Sequence, residues 1–398
     1  MTATGPGLKR RLGFWLLTLY GVGVMVGAGI YVLVGAVAGE AGTWAPIAFL
    51  LAAVIALPTA LAYAELSGRI PEAAGEAAYI RSATGRVWAA AAIGLAIEAT
   101  GVVSAAAVLQ GGVGYLRALV PLNETLLVVS IATALGFAAV LGVLESLLLA
   151  AVLTLTEVAG LGIVAGAGMT GPAVVQPAEV ATFSPIGIGA AGILAFFAFL
   201  GFEDMVNMVE ETRDPSRVMP RAILSALVIT TLLYALVSWA AVRTVPVADL
   251  AASRQPLVMV FERATGQGAG FLAVIAVAAA LNGVLAQIVM SARVLYGLGR
   301  FVPALGVFHH AHPRFRTPVL GTVVVTLATI WLALTAPLVT LAEVSALLLL
   351  SVFCAINLAL LQLRRMGTVP EGAFSAPGWV PATGAALSGL ALIWGVTT

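Results

Sequence analysis

The sequence predicts an all-α polytopic membrane protein, and three observations carry that prediction. Hydrophobic residues make up 61% of its 398 residues and charged ones 9%, with a mean hydropathy of +1.08. Soluble domains carry about 45–50% apolar and about 25% charged residues, so a soluble enzyme of this length would lack the charge to cover its surface. Apolar runs long enough to cross a bilayer, about 20 residues each, recur along the whole chain. They are continuous, as in Phe271 to Leu281, rather than alternating, which argues for helices and against a membrane β-barrel. The basic residues, finally, sort to one side of these runs.

Eleven segments have the required length and character, near 13–38, 44–66, 87–115, 125–143, 147–169, 187–211, 219–242, 270–295, 318–336, 338–363 and 378–396. With a cytoplasmic N-terminus, Lys9, Arg10 and Arg11 precede the first span. Arg69, Arg81 and Arg86 follow the second, and Arg213, Arg217 and Arg221 follow the sixth. Arg293, Arg300, Arg314 and Arg316 end or follow the eighth, and Arg364 and Arg365 follow the tenth. Only Arg117, Arg243, Arg254 and Arg263 fall outside. This asymmetry orients a multi-pass protein of the cytoplasmic membrane, its C-terminus extracytoplasmic. Ala36-Val37-Ala38 resembles a signal-peptide cleavage site, but the apolar stretch before it is longer than a signal core, so the first span is expected to be retained.

Several classes drop out. Net charge is +1 and the basic residues are scattered, which offers no nucleic-acid surface. The single cysteine, Cys354, excludes a disulfide within the chain. His309, His310 and His312 match no zinc spacing, and Gly21-x-Gly23 lies in an apolar span rather than after a strand. No metal site, cofactor site or catalytic nucleophile is expected, and no enzyme.

Two spans are interrupted. The first reads Gly27-Ala28-Gly29-Ile30-Tyr31, with poor helix propensity at mid-membrane depth. The sixth reads Phe196-Phe197-Ala198-Phe199-Leu200-Gly201-Phe202-Glu203-Asp204. In a chain of two five-helix repeats, 12–169 and 187–365, with 378–396 as an additional helix, spans one and six correspond. Paired interruptions point to an inverted-repeat secondary transporter. Backbone unwound at membrane depth is tolerated only where it lines a cavity or binds something. A half-helix beginning near Gly29 offers N–H groups and a positive dipole end to a carboxylate. One ending near Phe199 offers carbonyls to an ammonium group. A zwitterionic amino acid fits both. Simple close packing is the competing explanation, since Gly23 and Gly27, like Gly162 and Gly166, have G-x-x-x-G spacing.

At these residues the sequence resembles the amino acid–polyamine–organocation superfamily of permeases. Gly27 to Tyr31 is similar to that family's first-helix G-x-G-I-F motif. Phe196 to Phe202, with Glu210-Glu211, Asp214-Pro215, Arg217 and Pro220-Arg221-Ala222-Ile223, is similar to its sixth helix and the loop after it. Glu65-Leu66-Ser67, Arg69, Pro71, Gly75 and Tyr79 resemble the loop after helix two. Ser291-Ala292-Arg293, Leu295-Tyr296 and Thr317-Pro318 resemble the end of helix eight. The resemblance implies a five-plus-five inverted repeat with broken helices 1 and 6, and alternating access around a central amino acid site. It implies that Gly27, Ala28 and Gly29, with Ile30 beside them, bind the substrate carboxylate. Phe197 would lie over the substrate, and backbone from Phe197 through Ala198, Phe199 and Leu200 to Gly201 would hold its amine. Two departures stand out: members usually have twelve or more spans, and many carry a lysine in helix five, where Leu153-Thr154-Leu155-Thr156 is here followed by Glu157.

Charges at membrane depth are functional candidates by default. Glu203, just after the break, is expected to face the cavity and exchange a proton; its other reading is a cap on the following half-helix, a role expected instead of Asp204. Glu157, mid-span near helices one and eight, is the second proton candidate. Sodium is disfavoured, because Phe271 to Leu281 contains no hydroxyl. Glu98 and Glu343 also lie within spans, without an assigned role. Glu210 and Glu211 form either an exposed ion-pair set with Arg213 and Arg217 or, with Arg69, a cytoplasmic gate. The partners expected are therefore an amino acid, protons and the lipid bilayer. The phenylalanines around the break favour a neutral or apolar substrate side chain, while Glu203 leaves a cationic one open. An exchanger without net ion coupling, an intramembrane enzyme and a channel are the alternatives.

Overall fold

The computed structural model describes residues 12–71, 75–142, 147–300, 302–367 and 374–397. Lys9, Arg10 and Arg11, used above to orient the chain, lie outside them. Helix dominates the described residues, and the one β-contact among them is an isolated parallel bridge between Leu12 and Thr212.

In chain order the helices are α1 (Phe14–Val26), α2 (Ala28–Ala41), α3 (Ala45–Arg69), α4 (Gly75–Thr84), α5 (Val87–Leu119), α6 (Glu124–Leu141), α7 (Leu147–Thr170) and α8 (Ala178–Ala181). They continue with α9 (Pro185–Phe197), α10 (Pro215–Thr244), α11 (Val247–Ala252), α12 (Pro256–Thr265), α13 (Gly270–Gly299), α14 (Val319–Thr335), α15 (Leu338–Arg365) and α16 (Val380–Thr397). Each of the eleven apolar segments is helical over most of its described length, the first broken at Gly27 and the sixth by turns after Phe197. Eight stretches among the described residues are long and apolar enough to cross a membrane, and three shorter apolar helices accompany them. Two of the short ones, α1 and α9, are each the first half of an interrupted segment.

Local chemistry sets several ends. Asn123 Oδ1 accepts the Leu126 N–H at 3.2 Å to start α6, and Gly142, left-handed at φ 78°, ends it. Ser184 caps α9 through the Gly187 N–H, with Pro185 in the first turn. The short helices α4, α11 and α12 had no counterpart in the apolar segments, being connectors that are apolar on one face only.

Lipid removes the hydrophobic drive for helix association, so small residues and close backbone approach take over. The broadest helix pair is α5 with α13. There a Cβ on Gly112 would sit 2.5 Å from the Ala280 Cβ, and one on Gly94 2.6 Å from Leu298 Cδ2. Glycine spacing alone found such contacts unevenly: a Cβ on Gly23 would run into Thr154 Oγ1 of α7, whereas Gly162 and Gly166 have open space where a side chain would go. Trp15, Phe137, Leu232, Trp331 and Ile393 stand exposed around the bundle, as lipid-facing residues should. The interrupted segments run through its interior, α1 against α7 and α10, and α2 against α9, α11 and α5.

Candidate substrate and coupling site

The first break is one residue long. Gly27, at φ −20° and ψ −159°, ends α1, and α2 begins at the next residue with no side-chain cap. The Gly27 N–H is already bonded to the Gly23 carbonyl at 3.2 Å. The uncapped donors are therefore those of the first turn of α2, from Ala28 through Gly29 and Ile30. The uncapped helix start therefore lies one residue further along than Gly27 itself.

The second break is longer. α9 stops at Phe197, two residues before the expected end, and a series of turns leads to a 3-10 helix over Glu203–Glu211. The Ala198, Phe199 and Leu200 N–H groups each bond back three residues, to Ala195, Phe196 and Phe197. Gly201 has φ +120°, a conformation open to glycine and strained for other residues. Its N–H donates to Glu203 Oε2 at 2.9 Å. Glu203, rather than Asp204, thus satisfies the backbone of the break.

The two breaks touch. A Cβ on Gly29 would lie 3.0 Å from Ala198 Cα, and one on Gly201 would lie 2.5 Å from Val24 Cγ1. Tyr234 on α10 ties them together: its hydroxyl is shared between the Met25 carbonyl at 2.7 Å and the Ala198 carbonyl at 2.8 Å. One break carbonyl that could have met a substrate amine is thereby engaged. Phe199, fully buried, packs edge-on against Tyr234 with centroids 5.1 Å apart, so it supports the break from behind. Phe197 instead borders a void of about 10 Å³ with Gly29, Val32, Val108, Leu338 and Ala342. Every side chain around that void is apolar.

A much larger cavity, about 540 Å³, lies on the other side of the break. Leu200, Glu203, Asp204 and Glu211 form one wall, Gln287 and Ser291 of α13 another, and Thr100 and Ser104 of α5 a third. Arg81, Arg293 and Arg300 line it and are exposed, whereas Glu203 is 6% exposed. Opposite this mouth, α11 packs over α2, where a Cβ on Gly39 would meet Ala251 Cβ at 3.1 Å.

Glu157 stands apart from that cavity. It is 2% exposed, and neither carboxylate oxygen has a hydrogen-bond partner among the described residues. Its backbone carbonyl accepts the Tyr31 hydroxyl at 3.0 Å, and the Tyr31 carbonyl accepts Tyr115 at 2.7 Å. Tyr31 follows the first break, and Ile275 of α13 lies beside Gly160, so Glu157 lies on α7 behind α2 and near α13.

Arg69 pairs with the fully buried Glu65 at 2.5 Å. Arg364 donates to the same carboxylate, its Nε at 3.1 Å from Oε1, and to the Ala376 carbonyl at 2.6 Å, while the Ala376 N–H donates to Glu65 Oε2 at 2.8 Å. Removing one partner from such a buried cluster is costly, because the others are left uncompensated. Glu211 lines the cavity and accepts the Leu12 N–H through its carbonyl at 3.0 Å, joining the start of α1 to the end of the 3-10 helix. The side chain of Glu210 lies outside what the structure describes.

Sequence reasoning missed Tyr234 and Glu76, and quoted Tyr31 only as part of the first-helix motif, without a role. Tyr234 left one signal, a lone hydroxyl in an apolar span that must find a partner once buried.

Comparison with known proteins shows the family. The family model described as amino acid permease matches residues 12–397. The Branched-chain amino acid permease BcaP of Bacillus subtilis strain 168 is 30% identical over 418 residues, covering 99% of this chain and 88% of that protein. Human Cationic amino acid transporter 4 is 31% identical over 93% of this chain, which spans only 62% of that relative's length. The Methylthioribose transporter of Bacillus subtilis strain 168 is 29% identical over 97% of this chain and 87% of its own length. The chain belongs to the amino acid permease family.

Proposed function

We propose that this protein is a secondary transporter that moves an amino acid across the cytoplasmic membrane by alternating access, coupled to protons. The observation that carries the reading is the meeting of the two breaks, Gly29 against Ala198, which brings the uncapped start of α2 beside the end of α9. The helix start supplies N–H groups and a positive dipole end for the α-carboxylate. Residues 12–169 and 187–365 are taken as inverted repeats and 378–396 as an eleventh span, with the N-terminus cytoplasmic and the C-terminus outside.

The side-chain end of the site is assigned to the apolar residues beyond Phe197. The void there, about 10 Å³, is no larger than one water and must widen to admit a substrate side chain. Gly29, Val32, Val108 and Ala342 around it favour a neutral, branched apolar side chain, in keeping with the permease BcaP by name. A cationic substrate is the second reading, favoured by Glu203 and Asp204 on the cavity wall.

The cavity of about 540 Å³, opening between Arg81, Arg293 and Arg300, is assigned as the cytoplasmic vestibule of an inward-facing state. Glu203 holds the break through Gly201 and faces this vestibule, so its protonation can be exchanged with the cytoplasm while it props the backbone. Glu157 is the second proton carrier, an unpartnered carboxyl behind the first break. Arg69, Glu210 and Glu211 are assigned to the cytoplasmic gate, with Glu65 and Arg364 anchoring Arg69.

The test is uptake of a labelled mixture of the twenty amino acids into proteoliposomes, without sodium, with and without an inward pH gradient. Gradient-driven accumulation supports the reading. Uptake only against preloaded amino acid would replace it with an exchanger, and no uptake at all would overturn it.

A further inference from the structure

One buried acid in the cavity is unused by this reading. Glu76, on α4, is 6% exposed and lies in the cavity wall with Glu203 and Asp204. Its Oε1 accepts the Tyr63 hydroxyl at 3.0 Å. The Tyr63 ring stands edge-on to Phe202 at 5.9 Å and to Phe353 at 5.8 Å. Phe202 is fully buried and directly precedes Glu203. One side chain therefore links Glu76 to the second break. The chain enters α4 through Gly75 at φ +51°, where a Cβ would sit 3.1 Å from Asn207 Oδ1, so the first turn of α4 abuts the 3-10 helix.

We propose that Glu76 is a positioning residue whose protonation at the cytoplasmic face decides how readily the wall formed by α4 and the 3-10 helix closes over the cavity. The proposal rests on the alternating-access reading only in requiring that the cavity open and close.

The groups facing Glu76 define the physics. Tyr63 comes from α3, Tyr79 and Arg81 from α4 itself, and Glu203, Asp204 and Glu211 from the 3-10 helix. Arg293 and Arg300 of α13 line the same cavity, and the α5 and α15 residues in its wall carry no titratable group among those described. The arginine side chains are exposed, where salt screens a charge; Glu76 and Glu203 are buried. Closing the cavity expels water from ionised carboxylates, which costs several kcal/mol for a charge left unpaired. An ionised Glu76 therefore holds the cavity open, and a protonated one lets it close. Burial pushes the Glu76 carboxyl up to about 6, with the Tyr63 bond pulling the other way. The switch thus falls just below neutral pH.

The experiment needs no substrate. Cys354→Ser removes the chain's single cysteine, and Ser104→Cys places a thiol at the buried inner end of the cavity. Maleimide labelling from the cytoplasmic side is followed from about pH 5 to about pH 8, spanning the carboxyl's titration. Rates are divided by those of the same background carrying Glu76→Gln, which cancels ionisation of the thiol. The ratio should rise several-fold with a midpoint near Glu76's own titration. Tyr63→Phe should move that midpoint upward, since the lost bond favours the ionised form; Glu76→Asp should keep a pH-dependent rise. A flat ratio, or a midpoint unmoved by Tyr63→Phe, would overturn the proposal. Should Glu76→Gln fail to fold, Tyr63→Phe against the parent carries the test. Failure of the transport reading would be seen separately, in the uptake assay.

Discussion

The two helix breaks solve one problem in opposite ways. At Gly27 the chain turns in a single residue and resumes as an α-helix whose first N–H groups have no cap. At Ala198 to Phe202 it takes several residues, a left-hand-side φ at Gly201, and a carboxylate two residues on that accepts the freed N–H. The first break leaves its donors for something else, and the second satisfies its own. In the proposed function that difference divides the labour: the uncapped helix start is assigned to the substrate's carboxylate, and the self-capped break to the protonation change.

The sharpest way to break this comparison is at the contact between the two. Gly29→Val should abolish transport, a loss of at least about 100-fold, because its Cβ would meet backbone at Ala198 rather than a yielding side chain. Near-normal uptake would show that the breaks need not touch. Gly201→Ala comes next. It forces a side chain into φ +120° and against Val24, and should destabilise the protein by about 1–3 kcal/mol. The unfolding temperature in detergent reads this out.

Tyr234→Phe should cost about 1–3 kcal/mol by leaving the Met25 and Ala198 carbonyls without their donor. It should also change the transport rate more than substrate affinity, since it loosens both breaks together; a pure affinity change would place Tyr234 in the substrate site instead. The smallest effect concerns Glu76. Its carboxyl is raised from 4.5 to about 6, so the folded protein binds more protons than the unfolded chain across that window. Stability should accordingly fall by on the order of 2 kcal/mol as pH rises through it and then level off. Glu76→Gln, which keeps an acceptor for Tyr63, should flatten that slope in unfolding scans.

Much of this was legible in the chain. Gly27-Ala28-Gly29 and Gly201-Phe202-Glu203 marked both breaks, because glycine and acids are conspicuous where lipid demands apolar side chains. Glu203 was legible for the same reason, with its two readings, proton exchange and capping, both left open by its bond to Gly201. The positions that join the breaks were not. Tyr234 meets a carbonyl 209 residues earlier in the chain, and no local period reports such a partner. Glu76 sat in a connecting segment between two quoted motif residues, Gly75 and Tyr79, and its burial comes from other elements, α4 packing on α5 and α15 and abutting the 3-10 helix at Gly75. Arg69 could be seen as a gate charge, but its carboxylate Glu65 lies one helical turn back on the same helix, and the second arginine, Arg364, comes from 299 residues on.

The central claim is that Glu203 couples protons to a break that the substrate also engages. Glu203→Gln tests it most directly, because glutamine keeps an oxygen for the Gly201 N–H and removes the titration. Two modes should be measured on the same proteoliposomes: accumulation of a transported amino acid driven by a pH gradient, and its one-for-one exchange at equal pH. The account predicts that accumulation is lost while exchange persists. Accumulation that survives, or both modes lost in equal measure with the protein still folded, would contradict it.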